Sequence, residues 1–306
     1  MKLYKAQIEL HSPIATPLKG DTIWGHIVWG IATHEGDIDV AAFLAGCHSS
    51  NPPFVISSAF PQGMLPRPIL SERVVTKILT KTEYAQIKAK KKSRFIPSFL
   101  NDSIEIKGNA QPYFIKESEM HNTIDRLSLT VQDQGLFSSE SMWPNPNAFM
   151  SGRIVFDLYI ASDYEEDRIM QLLIWAFENG YGADASSGKG VVTVLPGLQK
   201  IQIPAKHSNR YMALGPFVLG KEKIPEDLLS NIFVRRGKIG GGFGNSFNPF
   251  KKTVILFDEG ATFMCNEGTL FVGNLITDVH SDSRICQSGF CPIIPLPEGA
   301  THEETV

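Results

Sequence analysis

Two strand-then-helix passages, held apart by about a hundred residues of weak periodicity, set the terms on which this chain can fold. In the first, Tyr4, Ala6, Ile8 and Leu10 alternate with Lys5, Gln7 and Glu9, the period of a half-buried strand. A loop rich in Pro and Gly runs from Ser12 to Gly20. Asp21 or Thr22 then offers an N-cap, and Ile23, Trp24, Ile27, Val28 and Ile31 recur at helical spacing. In the second passage, 154–160 reads as a strand, and Asp163 with Glu166 gives a capping-box pattern. Ile169, Leu172, Leu173, Ala176 and Phe177 form the helical stripe, Asn179-Gly180 stops it, and a strand follows at 191–195.

The intervening segment 51–152 has prolines at 52, 53, 61, 66 and 68 and reads as an insertion of short strands and hairpins. One strand lent by it completes β-α-β-β-α-β, the ferredoxin-like (RRM-like) topology. Pro196-Gly197 and Pro204 place a boundary near 200. The second part, 201–297, holds strand patterns at 210–219, 231–236, 251–258, 261–265 and 268–276, with one short helical pattern at 225–230. The expected fold class is α+β. A ferredoxin-like domain over 1–200 carries the insertion, a β-rich ferredoxin-like domain covers 201–297, and an acidic tail at 298–306 frays.

Composition narrows the function. With 42% hydrophobic and 20% charged residues the chain folds, and a net charge of −3 rules out a freestanding polycation. It does not rule out nucleic acid, because cations gather at 88–94 and 235–238. Cys47, Cys265, Cys286 and Cys291 form no C-x-x-C pair, and Cys286, Cys291 and His280 are poorly spaced for zinc, so neither metal nor cofactor is expected. No signal-peptide pattern and no long apolar run is present, and the expected setting is a reducing cytoplasm with no membrane contact.

The sharpest local signal is 180–190, with four glycines among Ser186, Ser187 and Lys189. Its exposed N–H groups suit phosphate oxygens, although a plain helix-to-strand connection accounts for it too. It is not a Walker A loop, since five residues separate Gly182 from Gly188-Lys189 and glycine follows the lysine. Nor does its helix-then-strand setting fit a dinucleotide fingerprint. A second cluster, 235–245, sets Arg235, Arg236 and Lys238 beside flexible backbone and Phe243, a mixture suited either to phosphate and base contacts or to a solvated hairpin tip. The run Lys88, Lys90, Lys91, Lys92 and Arg94 is either a solvated surface or an RNA-tracking arm. In the segment 121–126, Arg126 either pairs with an acid such as Asp125 or reaches a phosphate. His11 and His26 lie near the first loop without an identifiable catalytic partner.

In order and spacing these pieces resemble the CRISPR-associated RAMP superfamily. The Ser12-Pro13 and 17–26 stretch is similar to its N-terminal strand-loop-helix, 121–126 to its central segment, and 180–190 to its glycine-rich loop. The second glycine cluster and Phe290-Cys291-Pro292-Ile293 resemble the type III-A (Csm) effector subunit that holds the 5′ handle of the CRISPR RNA (crRNA). The resemblance implies two RRM-like domains and no catalytic residue. It implies contact with the crRNA, with the large polymerase/cyclase-like subunit and with the backbone RAMP subunit. Target RNA is met indirectly, by a thumb-like hairpin reaching along the guide–target duplex. Carried over onto this sequence, the RNA-binding residues are Lys19, Gly20, Asp21 and Trp24; His121, Asn122 and Arg126; Gly182, Ser186, Ser187, Gly188 and Lys189; and Arg235, Arg236 and Lys238. Aromatics of the RRM sheet type are absent, so contact through loops is expected. Three other readings stay open: a RAMP-type pre-crRNA endoribonuclease using His11 or His26, the type III-B counterpart, and a nucleotide- or phosphometabolite-binding enzyme.

Overall fold

The alternation of Tyr4, Ala6, Ile8 and Leu10 becomes the core-facing side of the central strand of the first sheet. This is a computed structural model, and it describes residues 1–74, 80, 93–100, 111–149, 152–203, 207–220, 225–240, 248–298 and 302–305. β1 (Lys2–Leu10) leads through the proline loop to α1 (Gly20–His34) and α2 (Asp37–His48). Two short strands, β2 (Phe54–Ile56) and β3 (Phe60–Pro61), follow. Next come β4 (Met64–Pro66), β5 (Ser71–Val74), β6 (Phe95–Pro97) and the long hairpin of β7 (Phe114–Ile124) and β8 (Val131–Pro144). The fully buried β9 (Val155–Ser162) leads to α3 (Glu166–Phe177), β10 (Val192–Val194) and β11 (Gln199–Lys200).

The first sheet runs β10-β1-β9-β2, with β11 also on β1 and β3 also on β9, all antiparallel. That is the fourth-first-third-second order of a β-α-β-β-α-β unit, with one strand taken from the segment read as an insertion. α1 and α3 lie side by side. At their crossing a Cβ on Gly30 would stand 2.7 Å from Trp175 Cβ, so the two backbones meet where no side chain intervenes.

Local signals misplace the helix starts by two or three residues. Lys19, not Asp21 or Thr22, is the N-cap of α1, and the Asp21 carboxylate is engaged elsewhere. Glu165 takes the N-cap of α3, while Asp163 pairs with the Met1 amino group at 2.7 Å. α2 is an addition to the expected order; it buries only Phe43 and Cys47, too thin a stripe to read as a helix.

The second part contains β12 (His207–Ala213), β13 (Ile232–Arg235), β14 (Val254–Phe257), β15 (Thr262–Met264), β16 (Phe271–Ile276) and β17 (Gln287–Pro297). Its sheet runs β15-β12-β17-β16, and β13–β14 forms a separate ribbon. The helix expected at 225–230 is instead a turn. Arg210 grips Asp227 at 3.0 Å and Leu229 bridges to Thr262, which holds the segment extended. Among the described residues this half has no helix of its own, so its sheet lacks the two helices of a full ferredoxin-like unit. α1 serves both halves: it packs on β2 and α3 on one side and on β17 on the other, and one apolar core runs through both sheets. The tail is also corrected: β18 (His302–Thr305) pairs in parallel with β5.

Because Gly30 sits against Trp175, Gly30→Val is expected to lower stability by about 1–3 kcal/mol through overpacking. A drop in the urea midpoint at unchanged m-value checks this; an unchanged midpoint would mean that α1 and α3 are not in close contact.

Candidate nucleic-acid interface

Four of the sequence motifs converge around the start of α1, but many of their side chains are committed to the protein itself. Lys19 is buried. Its Nζ lies 2.5 Å from Asp258 Oδ1 and 2.8 Å from Glu259 Oε2, over the Phe233 ring. Asp21 receives both Nε and Nη2 of Arg235 at 2.9 Å, and Gln287 Nε2 donates to it at 3.2 Å. Burial pushes the Glu259 carboxyl up, but Lys19 and Arg94 outweigh this and hold it below the usual carboxylate range. Gly20 is needed for close approach, since a Cβ there would lie 2.7 Å from Ile56 O. Trp24 is 3% exposed and packs on Phe43, so it is core and not a stacking platform.

The glycine-rich loop is folded back onto the first loop. The Gly182 N–H donates to His26 Nε2 at 3.1 Å, Ala183 N–H to Thr16 Oγ1 at 3.0 Å, and Gly190 N–H to Pro13 O at 2.8 Å. The buried Tyr181 hydroxyl donates to Pro17 O at 2.7 Å and accepts from Lys19 N–H at 3.3 Å. Gly182 and Gly190 have positive φ, and a Cβ on Gly190 would come within 2.1 Å of Tyr181 O. These glycines therefore let backbone pack on backbone. What the loop presents outward is a 3-10 turn, Ala185–Ser187, where Ser186, Ser187 and Gly188 are exposed.

Lys189 does not point outward. It is buried, 3.2 Å from Glu119 Oε2, 3.4 Å from Asp184 Oδ2 and 3.5 Å from Ser139 Oγ. The hydrogen bond from Lys189 holds the Glu119 carboxyl below its usual range. His121 meets the same pair, 2.8 Å from Ser139 Oγ and 3.6 Å from Glu119, and stacks on Phe137. The central segment and the glycine loop are thus brought together by a clasp midway along the β7–β8 hairpin. Asn122 and Arg126 lie further out and exposed, with Asp125 capping the turn through Leu127 N–H at 2.8 Å. The hairpin 114–144 carries Lys116 and Arg126 against Glu117, Glu119, Asp125, Asp133 and Glu140, so it is not a cationic arm.

The second glycine cluster divides by strand alternation. Arg235 points in toward Asp21, whereas Arg236 and Lys238 are exposed and make no ion pair among the described residues. Arg236 lies over Phe250, 5.4 Å from the ring centroid, and Lys238 bridges to Phe250 across the ribbon. Lys88, Lys90, Lys91 and Lys92 fall outside the described residues, as does Phe243. Arg94 pairs with Glu259 at 2.8 Å. Among the described residues, Cys286, Cys291 and His280 form no cluster able to hold a metal, all four cysteines are free, and no helix is long and apolar enough to cross a membrane.

No family profile and no curated protein matches the chain. Solved structures do match in fold. A chain in the crystal structure of the Csm1-Csm4 cassette in complex with pppApA has a TM-score of 0.56 and 16% identity, covering 98% of this chain and 100% of that one. A chain in the same cassette in complex with cA4 has a TM-score of 0.56 and 15% identity over the same shares, and with cA3 the TM-score is 0.54 at 14% identity. The chain is therefore built, over nearly its whole length, on a fold found in those cassettes.

Two outcomes follow from this geometry. Removing one partner of the buried pair strands the other charge, so Asp21→Ala is expected to cost about 3–5 kcal/mol of unfolding free energy. A loss within error of zero would show the pair to be idle. Burial lowers the His26 pKa to about 4, and its Nε2 must stay unprotonated to accept from Gly182. The unfolded imidazole titrates near 6.5, so stability is complete above that pH and falls as the pH drops toward 4. The expected loss is up to about 3 kcal/mol. His26→Gln, which keeps an acceptor and does not titrate, should flatten this dependence in urea titrations at pH 7 and 4.5.

Proposed function

We propose that this chain is a non-catalytic, RNA-holding subunit of a type III-A CRISPR (Csm) effector complex. In this reading it grips the 5′ handle of the crRNA and joins the large polymerase/cyclase-like subunit to the backbone RAMP subunit, in the cytoplasm. The observation that carries it is the fold likeness to a chain of the Csm1-Csm4 cassette over 98% of this sequence. The RAMP-like strand-loop-helix, central segment and glycine loop point to the same family, and they meet at one place in the fold. The finer reading of the halves as two ferredoxin-like domains belongs to this proposal, with the second as a copy that dispenses with its own helices.

The histidines support a non-catalytic role. His26 is held as an acceptor beneath the glycine loop, and His11 bonds Thr193 Oγ1 at 3.0 Å. Among the described residues, the outward groups left for RNA from these motifs are Ser186, Ser187 and Gly188 on the loop, Asn122 and Arg126 on the hairpin, and Arg236 and Lys238 on the ribbon. Lys19, Asp21, Arg235 and Lys189 position these loops through the ion pairs described above, and Gly20, Gly182 and Trp24 do so by packing.

The test is purification of the chain co-expressed with a repeat-spacer transcript and the other RAMP and polymerase-like subunits. RNA of one fixed, repeat-derived 5′ end is expected to co-purify; absence of RNA, or ragged 5′ ends, would overturn the assignment. Cleavage of repeat RNA by the purified chain without metal would decide for the endoribonuclease reading. Within the complex, Ser186→Glu sets a negative charge on the exposed turn and is expected to weaken handle binding about tenfold, a change of about 1.4 kcal/mol, at unchanged Tm.

A further inference from the structure

The β13–β14 ribbon has one face turned into the protein and one whose side chains are exposed. Phe233, Arg235 and Leu256 point inward, the first two toward Lys19 and Asp21. Ile232, Val234, Arg236 and Lys238 alternate with them and are exposed; Val234 pairs with Ile255 on β14, and Lys238 with Phe250 ahead of it. Phe250 is 47% exposed and Ile255 66%, unusual for large apolar side chains on a two-stranded ribbon.

Charge identifies the occupant. Residues 231–257 hold five cations, Arg235, Arg236, Lys238, Lys251 and Lys252, and no acid. Three of the five are engaged: Arg235 with Asp21, Lys251 through Nζ with Cys286 O at 2.7 Å, and Lys252 with Asp278 at 2.9 Å. Arg236 and Lys238 remain, side by side, at the end of the ribbon that carries the exposed ring. Two cations in no ion pair among the described residues, one of them over one face of an exposed ring, on a ribbon whose own sequence holds no acid, match a single-stranded polyanion whose bases are unstacked.

Resting on the RNA-holding role above, we infer that the outer face of the β13–β14 ribbon is a binding site for single-stranded RNA. One base stacks on the Phe250 face away from Arg236, adjacent phosphates lie on Arg236 and Lys238, and Val234 and Ile255 floor the sugar edge. Recognition of this kind tolerates any base, because every base offers a π-face and the contacts to phosphate carry no sequence information. It sets this site apart from the glycine loop, where outward hydroxyl and backbone groups supply directed hydrogen bonds.

The experiment titrates the full chain with fluorescently labelled oligouridylate of about ten nucleotides, a length within the usual site size, over a salt series. Arg236→Ala with Lys238→Ala should reduce the slope of log K against log salt by about 1.4, two phosphates at about 0.7 each. Phe250→Ala should weaken binding roughly 5- to 150-fold, and Phe250→Tyr should restore it. All three positions are exposed, and an unchanged Tm confirms folding. Wild-type binding with no change in these variants overturns the site while leaving the RNA-holding role standing. Variants that keep RNA but lose a partner protein on co-purification overturn it in favour of a protein-docking face. If the wild type binds no RNA, alone or with its partners, both readings fall together.

Discussion

Two residues at the start of α1, Lys19 and Asp21, carry the connection between the halves of the molecule. One sends its ammonium to Asp258 and Glu259; the other takes the guanidinium of Arg235, and all three partners lie more than two hundred residues away. Asp21 stands in the first turn of the helix, where a negative charge is also favoured by the helix dipole. Buried ion pairs of this kind are modest sources of stability compared with apolar packing, but breaking one is costly. Their effect is therefore on register: the ribbon can dock on α1 in one way only. Arg94 adds the segment between the two passages to the same acid, Glu259, and Tyr181 hydrogen-bonds the first loop from the glycine loop.

That constraint explains which parts of the fold were legible. β1, α1, β9 and α3 are long, strongly periodic and bury one face, so period alone identifies them. β17 carries no local strand signal although it is a central strand of the second sheet, pairing with β12 and β16. Its Pro292, Pro295 and Pro297 mark a loop or an edge by every local rule, since proline cannot donate to a ladder. In the structure the ladder to β12 is irregular between His207 and Tyr211, and Pro292 O still accepts from Leu214 N–H, so the strand survives on acceptors. The turn at 225–230 fails in the opposite sense: a local helical pattern yields to the Arg210–Asp227 pair, a contact no window of neighbouring residues contains.

The candidate site was legible by location and not by role. Glycine, serine and lysine at 180–190 mark a place where backbone comes close to something, and the structure identifies that something as Pro13, Thr16 and His26. Lysine in a glycine loop reads as a phosphate ligand because sequence shows the cation and hides its counter-ions. Glu119 lies 70 positions earlier, on a hairpin whose register sequence does not supply. The same holds for Arg235 and Asp21. Phe250, by contrast, sits in no motif; its exposure depends on ribbon register, and only the structure brings it under Arg236.

A net charge of −3 is then the remainder of a subtraction made in three dimensions. Lys19, Arg94, Lys189 and Arg235, among the cations most suggestive in sequence, are met by acids distant in the chain, and the β7–β8 hairpin carries more acid than base. On the RNA-holding reading, a net charge this close to zero gives little long-range potential, and the outward cations of the described loops are few. That reading then has the described residues contribute geometry: a hydroxyl-bearing turn fixed by glycine packing, and a cation pair beside one exposed ring. Specificity for a fixed RNA end would then come from how rigidly those two places are spaced, and the Lys19 and Asp21 pairs are what make that spacing rigid.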